Sequence, residues 1–177
     1  MRKVILYIAT SLDGYIARED GDISWLSIVE APGEDYGYGE FIKTVDTVIM
    51  GRKTYDKVLS FGIEFPHRDK ECYIITRQHR PPDGNITFYN GDIGELIKNL
   101  KGKGGKDVFI DGGAQVVNEL MKLDLIDEYV ISIIPIFLGS GIRLFDDGRP
   151  QMNLKLKSSR DFPSGLVQVE YKRISHE

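Results

Sequence analysis

Short apolar runs alternate with polar and amphipathic stretches along most of the chain. Nearly unbroken apolar runs predict strands that are buried on both faces, and they lie at residues 4–9, 48–50, 72–76, 86–88, 107–110 and 126–134. Between them, residues 92–100 and the stretch that holds Val116, Val117, Leu120 and Leu123 repeat apolar positions with the period of a helix. Shorter helices are predicted at residues 34–44 and 54–59.

The end of the chain has a different pattern. Residues 154–160 and 166–174 alternate polar with apolar positions around a Pro163-Ser164-Gly165 turn, which predicts a hairpin. Strands that alternate with helices, followed by strands alone, predict an α/β fold with a mainly parallel sheet and antiparallel C-terminal strands. Residues 10–33 contain several turn dipeptides and are predicted to be a long loop, which in a compact domain is usually functional.

Composition limits the classes of protein to consider. A length of 177 residues favours one domain over residues 1–177, and a net charge of −4 argues against binding to nucleic acid. The single cysteine, Cys72, excludes an internal disulfide, and the sequence predicts no metal site. No apolar run reaches the roughly 18 residues that a membrane span needs. The first apolar run is interpreted as a strand and not a signal peptide, so we expect a cytoplasmic protein without membrane partners.

One candidate phosphate site follows the second predicted strand. The apolar run at 48–50 stops at Gly51, and Arg52, Lys53 and Thr54 follow directly. Glycine allows the chain to turn, and the next residues would lie at a helix N-terminus, where free backbone N–H groups favour an anion. Two cations disfavoured by the helix dipole at that position strengthen the interpretation.

A second candidate lies at residues 108–117. The strand at 107–110 runs through Asp111 into Gly112 and Gly113, and a helix follows. Alone, the glycines are equally typical of a tight strand-to-helix turn. Two such turns in one parallel sheet would open at the same edge, and a ligand with two separated phosphate groups explains both. NADPH is such a ligand, with its pyrophosphate at the glycines and its 2′-phosphate at the cations.

Other residues are candidates for the reacting end of the site. Asp13, Asp35 and Asp111 are possible pocket acids, although aspartates in such loops are more often turn or capping residues. Trp25 either lines a ring-binding pocket or covers the core, and its place in the long loop favours the pocket.

Four stretches together resemble the dihydrofolate reductase-like superfamily, in particular the branch that contains the C-terminal reductase domain of the bifunctional riboflavin biosynthesis protein. They are residues 11–17 (SLDGYIA), 50–55 (MGRKTY), 111–116 (DGGAQV) and 135–145 (PIFLGSGIRLF). The resemblance implies a three-layer fold with helices on both faces of the sheet, NADPH-dependent reduction of a small molecule, and a homodimer.

The resemblance also implies roles for individual residues. Ala9 and Ile16 would border the nicotinamide, and Thr76 and Arg77 would lie near the adenosine. The 2′-phosphate and pyrophosphate would be held by two groups, namely Gly51, Arg52, Lys53 and Thr54, and Gly112, Gly113, Ala114, Gln115 and Val116. Asp35 and Asp13 are the predicted catalytic acids, acting directly or through a water. Trp25 and Tyr38 are the predicted substrate contacts.

The departures from the family pattern concern the substrate. Tyr7 stands where the riboflavin-pathway reductases usually have a lysine, and the Gly51-to-Thr54 turn is of the folate-reductase type. Reduction of 5-amino-6-(5-phosphoribosylamino)uracil is therefore the first hypothesis and dihydrofolate reduction the second. A nucleotide-binding protein without catalysis is the alternative from another class.

Overall fold

The computed structural model describes residues 1–174, which form ten strands and four α-helices with one 3₁₀ helix at Ser24–Val29. The strands are β1 (Val4–Ser11), β2 (Tyr15–Ala17), β3 (Val45–Gly51), β4 (Glu71–Ile75), β5 (Ile86–Tyr89), β6 (Asp107–Gly112), β7 (Glu128–Ile134), β8 (Ile142–Arg143), β9 (Leu154–Asp161) and β10 (Val167–Arg173). The helices are α1 (Tyr38–Lys43), α2 (Arg52–Ser60), α3 (Ile93–Gly102) and α4 (Ala114–Lys122). Over the described residues, none of these helices has the length and apolar character to cross a membrane.

Eight strands form one sheet in the order β5-β4-β3-β6-β1-β7-β10-β9. The first six are mutually parallel, whereas β10 is antiparallel to both β7 and β9. Strands β2 and β8 form a separate antiparallel pair. The predicted mainly parallel sheet with an antiparallel C-terminal edge is confirmed. The order also places β3, β6 and β1 side by side at the centre, so their carboxyl ends share one edge.

Helices cover both faces of the sheet. Successive side chains of the central strands point to opposite faces, so each strand buries residues against helices on both sides. On one face α3 and α4 pack against Ile49, Val108 and Ile110. On the other, α1 and α2 pack against Val48 and Phe109. Burial on both faces explains why these strands are apolar without alternation. The three-layer architecture is confirmed.

The segment predicted as one long loop contains regular structure, and that part of the prediction is wrong. β1 continues to Ser11, β2 follows, and the 3₁₀ helix Ser24–Val29 buries Trp25 to 3% exposure. These elements were missed because a three-residue strand and a six-residue 3₁₀ helix are too short to produce a visible period. The helix predicted at 34–44 is shorter in the structure, where it spans Tyr38–Lys43.

At the opposite edge of the sheet, the buried side chain of Arg2 joins three segments of the chain. Its guanidinium donates to the Lys106 carbonyl at 2.5 Å and to Thr47 Oγ1 at 2.6 Å. It also pairs with the carboxylate of Asp46, and only 5% of the Arg2 side chain is exposed. The amino ends of the central strands are therefore held together by one charged side chain.

Candidate cofactor and substrate site

The two glycine turns lie against each other at the carboxyl edge of the sheet. Because β3 and β6 are parallel neighbours with Met50 opposite Gly112, the chain turns at the same level in both. A Cβ on Gly51 would lie 3.7 Å from the Gly113 amide nitrogen, and one on Gly113 would lie 3.1 Å from Thr54 Oγ1. Gly112 has φ of +116°, which L side chains rarely adopt. The prediction that both turns open at one edge is confirmed.

The helices that follow these turns begin without polar side-chain caps. Gly51 and Gly113 occupy the N-cap positions of α2 and α4, and across the described residues neither helix has a side-chain cap or an acidic residue in its first turn. By contrast, Asp92 caps α3 and accepts from the Glu95 amide at 2.8 Å. The two helix N-termini at the glycine turns thus keep their first amides for another acceptor, which suits an anion.

Cations surround the start of α2. Arg52 donates from Nη1 to Asp56 Oδ2 at 2.9 Å, and Lys53 is exposed. Arg80 lies 3.8 Å from the second oxygen of Asp56 and stacks over the ring of Phe88. Arg80 was missed by the sequence analysis because it lies in a polar turn without a local motif. The three cations give this end of the site a positive charge that a phosphate group would complement.

Thr76 and Arg77 follow β4 at the same edge, since Ile75 pairs with Gly51 across the parallel strands β3 and β4. Thr76 is buried, and its hydroxyl accepts from the Gln78 amide at 3.1 Å, whereas Arg77 is exposed. Their predicted contact with an adenosine stays a prediction, but the sheet places both residues beside the Gly51 turn.

Ala9 and Ile16 lie on the other side of the glycine turns. Ala9 belongs to β1, which is the neighbour of β6, and Ile16 belongs to β2. A Cβ on Gly112 would lie 3.6 Å from the side chain of Ile8, the residue before Ala9. The structure therefore brings this part of β1 next to the second turn, and the contact of Ala9 and Ile16 with a nicotinamide stays a prediction.

Asp13 joins the loop after β1 to the loop after β7. Its carboxylate accepts from the Leu138 and Gly139 amides at 3.1 and 2.8 Å and from Ser11 Oγ at 2.5 Å. Partial burial raises the pKa of Asp13, but these hydrogen bonds outweigh it and leave the pKa below its ordinary value. The carboxylate is therefore ionised at neutral pH and orders the two loops.

Asp35 precedes α1 and accepts from the amides of Gly37 and Gly39 at 2.9 and 3.0 Å. These two backbone hydrogen bonds lower the pKa of Asp35, first that from Gly37 and then that from Gly39. Like Asp13, it is an ionised group that orders a turn. A lowered pKa disfavours direct donation of a proton at neutral pH, and the catalytic role of both acids stays a prediction.

An aromatic wall stands between α1 and the sheet, formed by Tyr7, Tyr38, Phe41 and Phe109. The rings of Tyr7 and Phe41 stack at 4.4 Å, and Tyr38 lies edge-on to Tyr7 at 5.7 Å. Burial, helped by the nearby Asp111 carboxylate, raises the pKa of Tyr38 to about 12, so its hydroxyl is a neutral donor. Tyr38 is 36% exposed, and its contact with a substrate stays a prediction.

Trp25 belongs to a hydrophobic cluster separate from the aromatic wall. It packs with Val29, Ile134 and Leu166, and Ala9 lies against the same cluster. Its burial favours the interpretation that Trp25 covers the core, and the predicted contact of Trp25 with a substrate stays a prediction.

A polar network links Tyr7 to the C-terminal hairpin. The Gln168 amide nitrogen donates to Tyr7 Oη at 3.2 Å and to Ser132 Oγ at 3.1 Å, and Arg160 donates to Gln168 Oε1 at 2.7 Å. Tyr7 Oη in turn donates to the Tyr36 carbonyl at 3.1 Å. The hydrogen-bond partners of Tyr7 are therefore neutral groups, and the Arg160 guanidinium lies one hydrogen bond further away. The partners are up to 161 residues apart in sequence, so no local pattern reveals them.

Asp111 is the third candidate acid, and it differs from the other two. It is the penultimate residue of β6, and no backbone amide donates to it among residues 1–174. Its partner is His67, whose Nε2 lies 3.3 Å from Asp111 Oδ2. No sequence pattern points to His67, because 44 residues separate it from Asp111 and it lies in a segment without a motif.

Comparisons with known proteins identify the family and the fold of the chain. The profile of the RibD C-terminal domain family matches residues 2–168. An uncharacterized protein of Bacillus subtilis (strain 168), YwjB, is 46% identical over 97% of this chain and 98% of its own. A putative riboflavin biosynthesis protein from Shewanella sp. PV-4 has a structure that superposes with a TM-score of 0.89, at 34% identity over 98% of this chain and 99% of the other.

A more distant structure shares the fold. It is a diaminohydroxyphosphoribosylaminopyrimidine deaminase/5-amino-6-(5-phosphoribosylamino)uracil reductase from Thermotoga maritima, with a TM-score of 0.73 and 20% identity. The match covers 98% of this chain but 57% of that larger protein.

Proposed function

The chain belongs to the RibD C-terminal domain family, and on that premise we propose that it is an NADPH-dependent reductase of a small heterocyclic substrate. The first candidate substrate is 5-amino-6-(5-phosphoribosylamino)uracil. Family membership supports a riboflavin-pathway reductase-like function. The observation that carries the proposal is the joined pair of glycine turns, with two uncapped helix N-termini and the cations beside one of them.

NADPH fits the residues present. Gly51 and Gly113 let the two turns pack closely, because a Cβ on either would meet atoms of the other turn. The uncapped first amides of α4 are suited to a pyrophosphate. Arg52 and Lys53 would hold the 2′-phosphate, with Thr76 and Arg77 beside the adenosine. When bound, this cofactor supplies the hydride. The residues of the chain bind it, orient it and limit access of water.

The substrate would lie between the glycine turns and the aromatic wall. Tyr38 offers a partly exposed ring and a neutral hydroxyl group to a flat heterocycle. Tyr7 supports this wall, because its ring stacks on Phe41 and its hydroxyl is already bonded to Tyr36 and Gln168. Asp35 and Asp13 are ionised, so we propose that they act by orienting a water that delivers the proton to the reduced group. A homodimer, expected from the resemblance, is a further proposal that light scattering of the purified protein tests.

The decisive experiment measures turnover with each cofactor and substrate in turn. The purified chain is mixed with NADPH or NADH and with 5-amino-6-(5-phosphoribosylamino)uracil or dihydrofolate, and cofactor oxidation is followed by its absorbance. We expect oxidation with NADPH and the aminouracil substrate. Oxidation with dihydrofolate alone would move the function to the second candidate. Binding of neither cofactor in a direct titration would refute the reductase proposal, and binding without any turnover would favour a nucleotide-binding protein.

A further inference from the structure

His67 is a buried polar residue to which the proposed cofactor site assigns no role. It lies in the segment between α2 and β4, its side chain is 3% exposed, and its ring packs edge-on against Phe65 and Phe109. Within the described part of the chain, nothing hydrogen-bonds to Nδ1. A buried polar atom without a partner is destabilising, so an apolar residue would suit this pocket better for stability alone.

The other ring nitrogen of His67 faces Asp111, near the carboxyl end of β6. Nε2 lies 3.3 Å from Asp111 Oδ2, and an ionised carboxylate can only accept a hydrogen bond. We therefore assign the ring proton to Nε2, and the buried Nδ1 is then an unprotonated acceptor without a donor. This is the less costly arrangement, because a second ring proton would add an unpaired donor at that nitrogen.

Asp111 connects this buried histidine to the surface of the site. Its side chain is 27% exposed, and no donor reaches Oδ1 from the residues that the structure describes. It directly precedes Gly112 and projects on the same face of the sheet as Phe109, whose ring lies 6.4 Å from that of Tyr38. Asp111 thus lies between the glycine turn and the aromatic wall. Backbone amides donate to the carboxylates of Asp13 and Asp35, whereas none among residues 1–174 donates to Asp111.

We propose that His67 is a positioning residue that fixes the Asp111 carboxylate, so that Oδ1 is presented to N–H groups of the substrate ring. The inference rests on the proposed reductase function and deepens it. A hydrogen bond from a buried, well-packed ring restricts the rotation of Asp111 before the substrate arrives, which lowers the cost of orienting the substrate. The buried Nδ1 without a partner, which destabilises the fold, follows from keeping the Nε2–H donor beside Asp111.

Two variants of His67 separate this role from packing. His67→Leu removes the donor and the unpaired atom, whereas His67→Gln keeps an amide N–H in a similar position. We expect His67→Leu to have an unchanged or higher melting temperature, an NADPH dissociation constant within twofold of wild type, and a kcat/KM for the aminouracil substrate that is about 10- to 100-fold lower. His67→Gln should recover most of that loss. Unchanged kcat/KM in His67→Leu, or a loss matched by equal loss of NADPH binding, would overturn the proposal.

A second measurement does not depend on the substrate. If wild type reduces neither substrate, the proposed activity fails, and ¹⁵N NMR of the His67 ring still decides whether the pair exists. We expect a single neutral tautomer with the proton on Nε2 in wild type and a mixture of tautomers in Asp111→Ala. A mixture in wild type, or the same spectrum in both proteins, would overturn the inference about His67.

Discussion

Thr54 and Gly113 come from different strand-to-helix turns, yet a Cβ on Gly113 would lie 3.1 Å from Thr54 Oγ1. Each turn therefore forms part of the wall of the other. An atom added at Gly113 would therefore displace either Thr54 or the start of α4. The two phosphate sites predicted from separate motifs are one structural unit, and changes at either turn should affect the whole cofactor.

Replacing Gly113 with alanine should weaken NADPH binding more than it weakens the fold. The added methyl group requires a shift of a few tenths of an ångström at Thr54, whose hydroxyl can move, but the shift displaces the first amides of α4. We expect the NADPH dissociation constant to rise about tenfold, which is ~1.4 kcal/mol. Fluorescence titration measures it. Gly104→Ala, at a glycine with open space around it, is the control and should change nothing.

Arg52 should discriminate between the two nicotinamide cofactors. If it binds the 2′-phosphate, Arg52→Ala loses a charge-assisted hydrogen bond to NADPH, worth about 1.5–3 kcal/mol, and loses almost nothing with NADH. Titrations of both cofactors measure the difference. Arg18→Ala is a matched control, because Arg18 forms an i,i+4 pair with Asp22 just as Arg52 does with Asp56. Equal weakening of NADPH and NADH by Arg52→Ala would contradict the assignment.

The parts that the sequence predicted are those with local causes. Buried parallel strands are continuously apolar, and a glycine followed by cations marks a strand-to-helix turn. Residues 107–113 and 48–54 therefore predicted the central strands and the edge of the sheet at which the two turns open. The contacts missed join side chains that only the strand order brings together. Gln168 in β10 reaches Tyr7 in β1 across the strand β7 that lies between them. His67 reaches Asp111 from a segment without periodicity. Hydrophobic patterns record burial and do not record which polar groups meet.

Glu128 should make stability depend on pH. Its carboxylate pairs with Lys157 and Lys3, each at 2.8 Å. Burial raises the pKa of Glu128, but the two lysines outweigh burial and lower the pKa below its ordinary value. The stabilisation is therefore full above the unfolded-state pKa of about 4.3 and is lost as the pH falls through the lower folded-state pKa.

Urea unfolding of Glu128→Gln from pH 7 to pH 3.5 tests this dependence. We expect a loss of about 1–3 kcal/mol at pH 7, because hydrogen bonds to a charged group are removed, and a smaller difference from wild type at the acid end. Glu19→Gln, at an exposed position, is the control. A difference that does not shrink with falling pH would show that the lysine pairs are not its source.

Arg2 should be among the most important single side chains for stability. Four groups accept from its guanidinium, namely Asp46, Thr47 and the carbonyls of Lys106 and Leu100, and its side chain is 5% exposed. Arg2→Met leaves these acceptors without a donor and should cost about 3 kcal/mol, near the lower end for a broken buried pair, since the partly exposed Asp46 can regain water. Arg2→Lys should recover little, because one ammonium group cannot reproduce the planar fork. Urea unfolding measures both variants against Lys98→Met, an exposed control, and equal stability of all three would contradict the prediction.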